Sequence, residues 1–230
     1  MREHITGVIL AGGPGTRMGG LDKGLILLDG QSMVERAIAR LRPQVAEIVI
    51  SANRHLERYA QLGLRVVSDP ATDYPGPLAG IASACRVVTT EHILTVPCDT
   101  PFLDCNLAAR LAQTALHQPG SVAVAHDGRR LQPLFMLMAR SLGPEIEAQL
   151  ARGERTIDQW LTTRSYATCH FDNAEAFTGV DDAEDRARSE RQLREQRLGH
   201  TPTSKKQSPL TRAFKEWRAR RDSNSRPPGS

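Results

Sequence analysis

Val8-Ile9-Leu10-Ala11-Gly12-Gly13-Pro14-Gly15-Thr16-Arg17-Met18-Gly19-Gly20-Leu21-Asp22-Lys23-Gly24 carries an apolar run straight into a glycine-rich loop that holds one arginine and one lysine. Glycines without a Cβ let backbone N–H groups come close to an anion. Arg17 then offers a planar fork and Lys23 a mobile point charge to phosphate oxygens. The stretch reads as a cradle for a nucleoside triphosphate at the carboxyl end of a strand. It is not a P-loop, which needs Ser or Thr after its lysine where this chain has Gly24. It is not a dinucleotide fingerprint either, because Gly13-x-Gly15 lacks the third glycine three residues on. The plainer alternative is a connection between a strand and a helix, but such connections need two to six residues and no fixed cations.

Outward from that loop, strand-like and helical runs alternate. Ile5–Ala11 reads as a central strand and Ser32 as the N-cap of a helix with Val34, Ile38 and Leu41 on one face, ending near Pro43. Further strands are expected at Glu47–Ser51, Leu64–Ser68 and His92–Pro97, with helices over 55–61, Leu78 to Val88 and 106–117. This rhythm implies a parallel sheet with right-handed crossovers. Then Ser121–His126 and Leu131–Ala139 flank Asp127-Gly128-Arg129-Arg130, whose Asp-Gly step signals a hairpin. Helices near 142–151 and 155–162, a strand over 166–171 and a charged helix over 181–197 complete the pattern. The expected fold is α/β: a Rossmann-like three-layer α/β/α arrangement with a mixed, mostly parallel sheet.

In such sheets ligands gather beyond the carboxyl ends of the strands. The glycine-rich loop, Ser51–Asn53, Asp69 and Asp99 each follow a strand, so four strand ends converge on one crevice. Asp99, after Ile93-Leu94-Thr95-Val96-Pro97, suits Mg²⁺, which takes one or two carboxylates and completes its shell with phosphate and water; an N-cap for residues after Thr100 is the alternative. Asp69 before Pro70 could equally open a turn. Asp22 is expected to hold the loop by accepting its backbone N–H groups. Tyr74-Pro75-Gly76-Pro77-Leu78-Ala79-Gly80 combines stiff and permissive residues and could present backbone groups to a flat base, or simply lead into a helix.

At this point the chain resembles a family. L-A-G-G-x-x-x-R-M-G-G-x-D-K-G is similar to the signature loop of the molybdenum cofactor guanylyltransferases, members of the nucleotidyltransferase superfamily. The likeness continues through Ala52-Asn53-Arg54-His55, Asp73-Tyr74-Pro75-Gly76-Pro77-Leu78-Ala79-Gly80 and Pro97-Cys98-Asp99-Thr100-Pro101, and covers roughly residues 5 to 190. It implies transfer of GMP from GTP to molybdopterin with release of pyrophosphate. It implies GTP contacts at Leu10, Ala11, Gly12, Gly13, Arg17, Lys23, Ser51, Asn53, Asp69, Pro77, Leu78, Gly80 and Asp99, catalytic roles for Arg17, Lys23 and Asp99, and Mg²⁺ on Asp99. Guanine recognition falls to the 74–80 region, and Gly12-Gly13 favours guanine over the cytidylyl relatives.

The chain also departs from that family. Ser51 stands where an asparagine is common. The F-x-N-[VI]-N-T-P-E-D pattern appears as Phe177-Thr178-Gly179-Val180-Asp181-Asp182-Ala183-Glu184-Asp185, so Gly179 and Asp181 replace asparagines that the resemblance places near the pterin end. A carboxylate added beside an anionic substrate is unfavourable. Gln132-Pro133 stands where the family lines its acceptor side. No Ser/His/Asp set is evident, as befits attack by a phosphate that is already ionised.

Competing readings are a cytidylyl or sugar-phosphate nucleotidyltransferase, and a GTP-binding adaptor without turnover that delivers the pterin cofactor. Retention of Arg17, Lys23 and Asp99 together argues against the adaptor. Molybdenum-insertion proteins and apo-molybdoenzymes or their chaperones are expected partners.

Composition bounds the rest. From Gly199 to Ser230 there are eight Lys and Arg against two acids, so the whole-chain charge of +4 leaves about −2 for the residues before it. The basic character belongs to a tail, 199–230, expected to be disordered, beside a nucleotidyltransferase domain over 1–198 with its nucleotide-binding part near 1–105 and its acceptor-binding part near 106–198. Nucleic-acid binding by the folded part is therefore not expected. Cys85, Cys98, Cys105 and Cys169 form no C-x-x-C pair and read as free thiols. No apolar run is long enough to span a membrane, no signal peptide is expected, and the expected location is the cytoplasm.

Overall fold

The computed structural model describes residues 2–11, 13, 20–69, 76–116 and 122–199. The chain begins with strand β1 (Ile5–Leu10), and a one-turn 3-10 helix (Lys23–Leu25) follows the glycine-rich loop. A small hairpin of β2 (Leu27–Leu28) and β3 (Gln31–Ser32) leads into α1 (Met33–Leu41). Then come β4 (Glu47–Ser51), α2 (Leu56–Ala60), β5 (Arg65–Val67), α3 (Pro77–Val87), β6 (His92–Pro97) and α4 (Leu107–Ala115). β7 (Val122–His126), β8 (Leu131–Ala139), α5 (Gly143–Ala151), α6 (Ile157–Thr162), β9 (Ala167–His170) and α7 (Ala183–Gly199) complete the order. Each element expected from the sequence is present, with ends that move by a residue or two. The expected tail lies outside the described residues, apart from the last residue of α7.

The main sheet has seven strands in the order β5-β4-β1-β6-β8-β7-β9. All neighbours run parallel except at β8, which is antiparallel to both β6 and β7. The alternating side chains of the strands feed two cores. One face packs Ile5, Ile9 and Leu94 against α1 and α4 through Ala37, Leu41 and Leu111. The other packs Val8, Val124 and Met136 against α3, α5 and α6 through Ile81, Ile146 and Trp160. The result is the three-layer α/β/α arrangement, a mixed and mostly parallel sheet.

Two local details position the site. The β2–β3 hairpin, which the sequence reading did not anticipate, turns on Asp29 and Gly30, both at positive φ (49° and 80°). That Asp-Gly step is a strong two-residue hairpin signal. Its Leu28 packs with Met33, Phe102, Val180 and Leu193, tying the hairpin to α7 and to the segment before it. In β8 the register against β7 jumps from Met136 to Gln132, bulging Pro133, Leu134 and Phe135 out of the ladder. Pro133 has no N–H to contribute, and the buried Thr95 hydroxyl donates to the Leu134 carbonyl at 2.9 Å where the ladder is broken.

Candidate nucleotide site

The carboxyl ends of β5, β4, β1 and β6 lie side by side, and backbone bonds stitch their exits together. Ala11 N–H donates to Ser51 C=O at 2.7 Å, Ala52 N–H to Val67 C=O at 2.9 Å, and Cys98 N–H to Leu10 C=O at 3.0 Å. Ser51, Asn53, Asp69 and Asp99 follow these strands and emerge along this edge.

Lys23 is placed by the 3-10 turn, and the turn is placed by Asp22. The Asp22 side chain, 6 % exposed, accepts from Gly24 N–H at 3.2 Å and from the Tyr59 hydroxyl at 2.6 Å, as its expected loop-holding role requires. A Cβ on Gly24 would lie 2.5 Å from the Tyr59 hydroxyl and 3.2 Å from Cys98 Sγ, so a larger residue there must displace the hydroxyl that holds Asp22. Burial pushes the Tyr59 hydroxyl far above its ordinary value, so it remains a donor to Asp22. Burial also raises the Cys98 thiol, with Asp99 and Asp22 adding to the effect, and Cys98 serves as a neutral wall.

Lys23 Nζ sits 3.2 Å from Asp99 Oδ2 and also pairs with Asp181 Oδ1. Burial pulls the lysine pKa down, but the hydrogen bond to Asp181 and the charge of Asp99 outweigh it, and the net shift is upward. Lys23 is a fixed cation. Asp99 moves up from the ordinary carboxylate range, chiefly through burial, which the attraction of Lys23 does not cancel. The next helix begins only at Leu107, with Asn106 at its N-cap, so Asp99 caps no helix.

A second cluster spans β4, β5 and α3. Asn53 and Asp69 form a reciprocal clasp: Asn53 Nδ2 donates to Asp69 Oδ2 and Asp69 N–H donates to Asn53 Oδ1, both at 2.9 Å. Ser83 Oγ donates to Asp69 Oδ1 at 3.2 Å. Ser51 is buried, and its Oγ occupies the space that a Cβ on Gly80 would need, so α3 rides directly on the end of β4. Leu78 is wholly buried, backbone included, so at this end of α3 the more exposed groups belong to Gly76 and Pro77. Gly76, at φ +85°, carries the chain into Pro77 at the start of α3, where a Cβ would strike the Arg155 carbonyl at 2.5 Å.

Of the residues selected from sequence, Lys23 and Asp99 are in direct contact, and Asn53 and Asp69 form their own pair. Ser51 and Gly80 pack together, Leu10 and Ala11 are half-buried, and Gly13 is exposed. Gly12, Arg17 and residues 70–75 lie outside the described residues. Tyr59 and Ser83 went unnoticed in the sequence, because a single tyrosine in a short charged helix and a serine among alanines carry no spacing signal. Asp181, expected near the pterin end, lies against Lys23. Gln132, expected on the acceptor side, donates to Asp127 Oδ2 at 2.7 Å near the β7–β8 turn.

The donor set suits a hard divalent cation. Asp99 keeps a partly exposed carboxylate (19 %) that already holds one cation, the Lys23 ammonium. Gly179 leaves its face open, since an added Cβ would meet the three carboxyl atoms at 3.5 to 3.6 Å. Among the described residues no group of three or more His, Cys, Asp or Glu could enclose a metal alone, so an ion here would complete its shell from substrate and water. Among the described residues, too, no helix is long and apolar enough to cross a membrane.

Residues 7–167 match the MobA-like NTP transferase domain family. The molybdenum cofactor guanylyltransferase of Shewanella halifaxensis is 44% identical over 185 residues, 80% of this chain and 92% of that one. The protein of the same name from Shewanella sp. strain MR-4 is 44% identical over 189 residues, 82% and 96% of the two chains. Among solved structures, molybdopterin-guanine dinucleotide biosynthesis protein A from Archaeoglobus fulgidus superposes with a TM-score of 0.69 at 21% identity, over 83% of this chain and 99% of that one. The 2-C-methyl-D-erythritol 4-phosphate cytidylyltransferase of Thermus thermophilus gives 0.61 at 17% identity, over 81% and 98%. At such identities the structural likeness speaks for the fold alone.

Proposed function

This chain belongs to the molybdenum cofactor guanylyltransferase family, and from that premise we propose that it transfers GMP from GTP to molybdopterin at the edge built by β1, β4, β5 and β6. The observation that carries the reading is the contact of Lys23 with Asp99, an ammonium 3.2 Å from a carboxylate at the end of β6. A binding adaptor would have no use for that carboxylate.

The acceptor's phosphate oxygen bonds to the α-phosphorus of GTP as the bond from that phosphorus to the β-phosphate oxygen breaks, and pyrophosphate departs. Two polyanions meet, so charge and alignment govern the rate rather than proton transfer. Lys23, kept protonated by its carboxylate partners, supplies positive charge at the α-phosphate, and the Tyr59–Asp22–Gly24 brace holds the turn that presents it. Arg17 holds the leaving pyrophosphate. The Asn53–Asp69 clasp faces the nucleoside, and the Asp69 oxygens retain lone pairs for a hydroxyl beyond those used by Asn53 and Ser83. In this reading guanine is recognised at the start of α3, where Pro77 is partly exposed and Leu78 and Gly80 support the turn from within. Mg²⁺, held by Asp99, would supply Lewis-acid charge to the phosphate oxygens. The acceptor lies toward β7, β8 and Gln132.

We place the enzyme in the cytoplasm, a reducing compartment that suits its free cysteines, three of them buried. The tail, 200–230, is dispensable for transfer in this reading. The test offers GTP, CTP and ATP separately with magnesium and molybdopterin, and measures pyrophosphate and product mass. Turnover with GTP alone supports the proposal; turnover with CTP, or tight GTP binding without pyrophosphate, overturns it.

A further inference from the structure

Asp181 enters the mechanism above only as one of the two carboxylates that hold Lys23. Its Oδ1 meets the same Nζ that lies 3.2 Å from Asp99 Oδ2, so one ammonium is shared between acids far apart in the sequence. Backbone bonds set this meeting. Val180 N–H donates to the Asp99 carbonyl at 3.0 Å, and Asp181 N–H donates to Asp185 Oδ2 at 3.1 Å in the first turn of α7. Just before these anchors Gly179 carries no side chain to cover the Asp99 carboxylate. Asp181 is 45 % exposed and Asp99 19 %, so neither is closed off from incoming ligands.

Two carboxylates facing one ammonium leave the trio with one negative charge in excess. Hard oxygen donors, an open face and a monovalent cation between them form an arrangement that a divalent ion satisfies better than the lysine does. We infer that Asp181 is the second carboxylate of the divalent-cation site centred on Asp99, and that the Lys23 ammonium occupies the ion's place until nucleotide arrives. The inference rests on the transferase reading of this site. Phosphates attract Lys23 away from the two acids, and the acids, once freed, attract the cation. Nucleotide and cation therefore bind more tightly together than apart, a reciprocal coupling. The departure from the family pattern acquires a physical reason: a carboxylate that would repel an anionic substrate is neutralised by the ion it holds.

The experiment titrates the full chain with Mn²⁺, following the free ion by electron paramagnetic resonance, with and without a non-hydrolysable GTP analogue. The analogue should tighten Mn²⁺ binding to the unaltered protein. Asp181→Asn keeps the shape of the side chain and the residue of the family pattern, and it should weaken nucleotide-supported Mn²⁺ binding by about tenfold through loss of one ligand charge. Lys23→Met should tighten Mn²⁺ binding without nucleotide, because the competing cation is gone. Unchanged or tighter Mn²⁺ binding in Asp181→Asn would make Asp181 a counter-ion of Lys23 only and overturn the inference, as would a Lys23→Met protein with no gain. Should Asp181→Asn fail to fold by its thermal melt, Asp181→Ser takes its place in the same titration and is read by the same outcomes. Turnover of GTP by the unaltered protein is scored separately: without it the transferase reading fails, whereas turnover combined with an unaffected Asp181→Asn affinity sinks this inference alone.

Discussion

The two sides of the sheet solve the same problem differently. On the side of β5, β4, β1 and β6, parallel strands all deliver their carboxyl ends to one edge, and the polar residues after them meet across neighbouring strands: Lys23 with Asp99, Asn53 with Asp69. On the side of β8, β7 and β9, the reversed β8 brings its first residues to that edge, and polar groups pair locally, as Gln132 does with Asp127 five residues away. Chemistry on the first side depends on long-range convergence. On the second it depends on a bulge and a turn, with one exception, the return of Gly179–Asp181 across the sheet to seat on Asp99.

The largest effect should come from breaking the convergent side at its charge. Lys23→Ala should lower the rate of GMP transfer by on the order of 10²-fold or more, since preorganised charge typically contributes a few kcal/mol to the transition state. Its melting temperature should stay close to that of the unaltered chain, as the side chain is partly exposed. A loss of activity explained wholly by unfolding would make Lys23 a structural residue. Next comes Gly24→Ala, which adds no charge change but forces a Cβ to within 2.5 Å of the Tyr59 hydroxyl. Overpacking of this kind costs about 1–3 kcal/mol. Chemical denaturation should register that loss, and nucleotide affinity should fall with it because the brace that presents Lys23 is displaced. A variant as stable as the parent would show that the brace yields without strain.

How much of this was legible beforehand follows the same division. The strand-to-loop step at Leu10–Gly13 and the acid after Pro97 could be read because each is a local pattern whose meaning the parallel topology supplies. The capping box of α1, Ser32 with Glu35, lies within four residues and was half seen, through Ser32 alone. The brace was not legible: nothing adjacent to Tyr59 announces that its hydroxyl reaches Asp22, thirty-seven positions away. Asp181 was legible only as an anomaly. Its partner could not be found from sequence, because the pairing depends on a backbone bond between Val180 and Asp99 that no periodicity encodes. The β2–β3 hairpin was a different kind of miss, since Asp29-Gly30 carried a signal that went unused.

On the second side, Thr95→Val tests whether the bulge is held by one hydroxyl. Thr95 is fully buried and its Oγ1 donates to the Leu134 carbonyl at 2.9 Å, with the Met136 carbonyl at 3.3 Å. Valine preserves the shape and deprives the carbonyl of its donor, at a cost of about 1–2 kcal/mol. Because Gln132 and Pro133 lead into that bulge, the KM for the acceptor should rise while that for GTP stays within experimental error. Equal changes in both would show that the two sides of the sheet are not separable.

The smallest effect concerns a cap that is encoded locally, at the start of α1. Glu35 is held below its ordinary value of 4.5, first by the Ser32 hydroxyl and then by the Ser32 backbone N–H, while burial pushes weakly the other way. A carboxylate whose pKa is depressed by folding adds stability that is present above its unfolded value and is lost as pH falls through its folded one. Glu35→Ala should therefore cost about 0.5–1 kcal/mol at neutral pH, the usual worth of a cap. The gap between the two melting curves should close on acidification below the ordinary value, because protonation removes the same interaction from the parent chain. GMP transfer at neutral pH should be unaltered, since the Glu35 carboxylate meets Ser32 and none of the residues placed at the nucleotide site. A gap that persists undiminished in acid would mean that Glu35 stabilises α1 by packing rather than by charge.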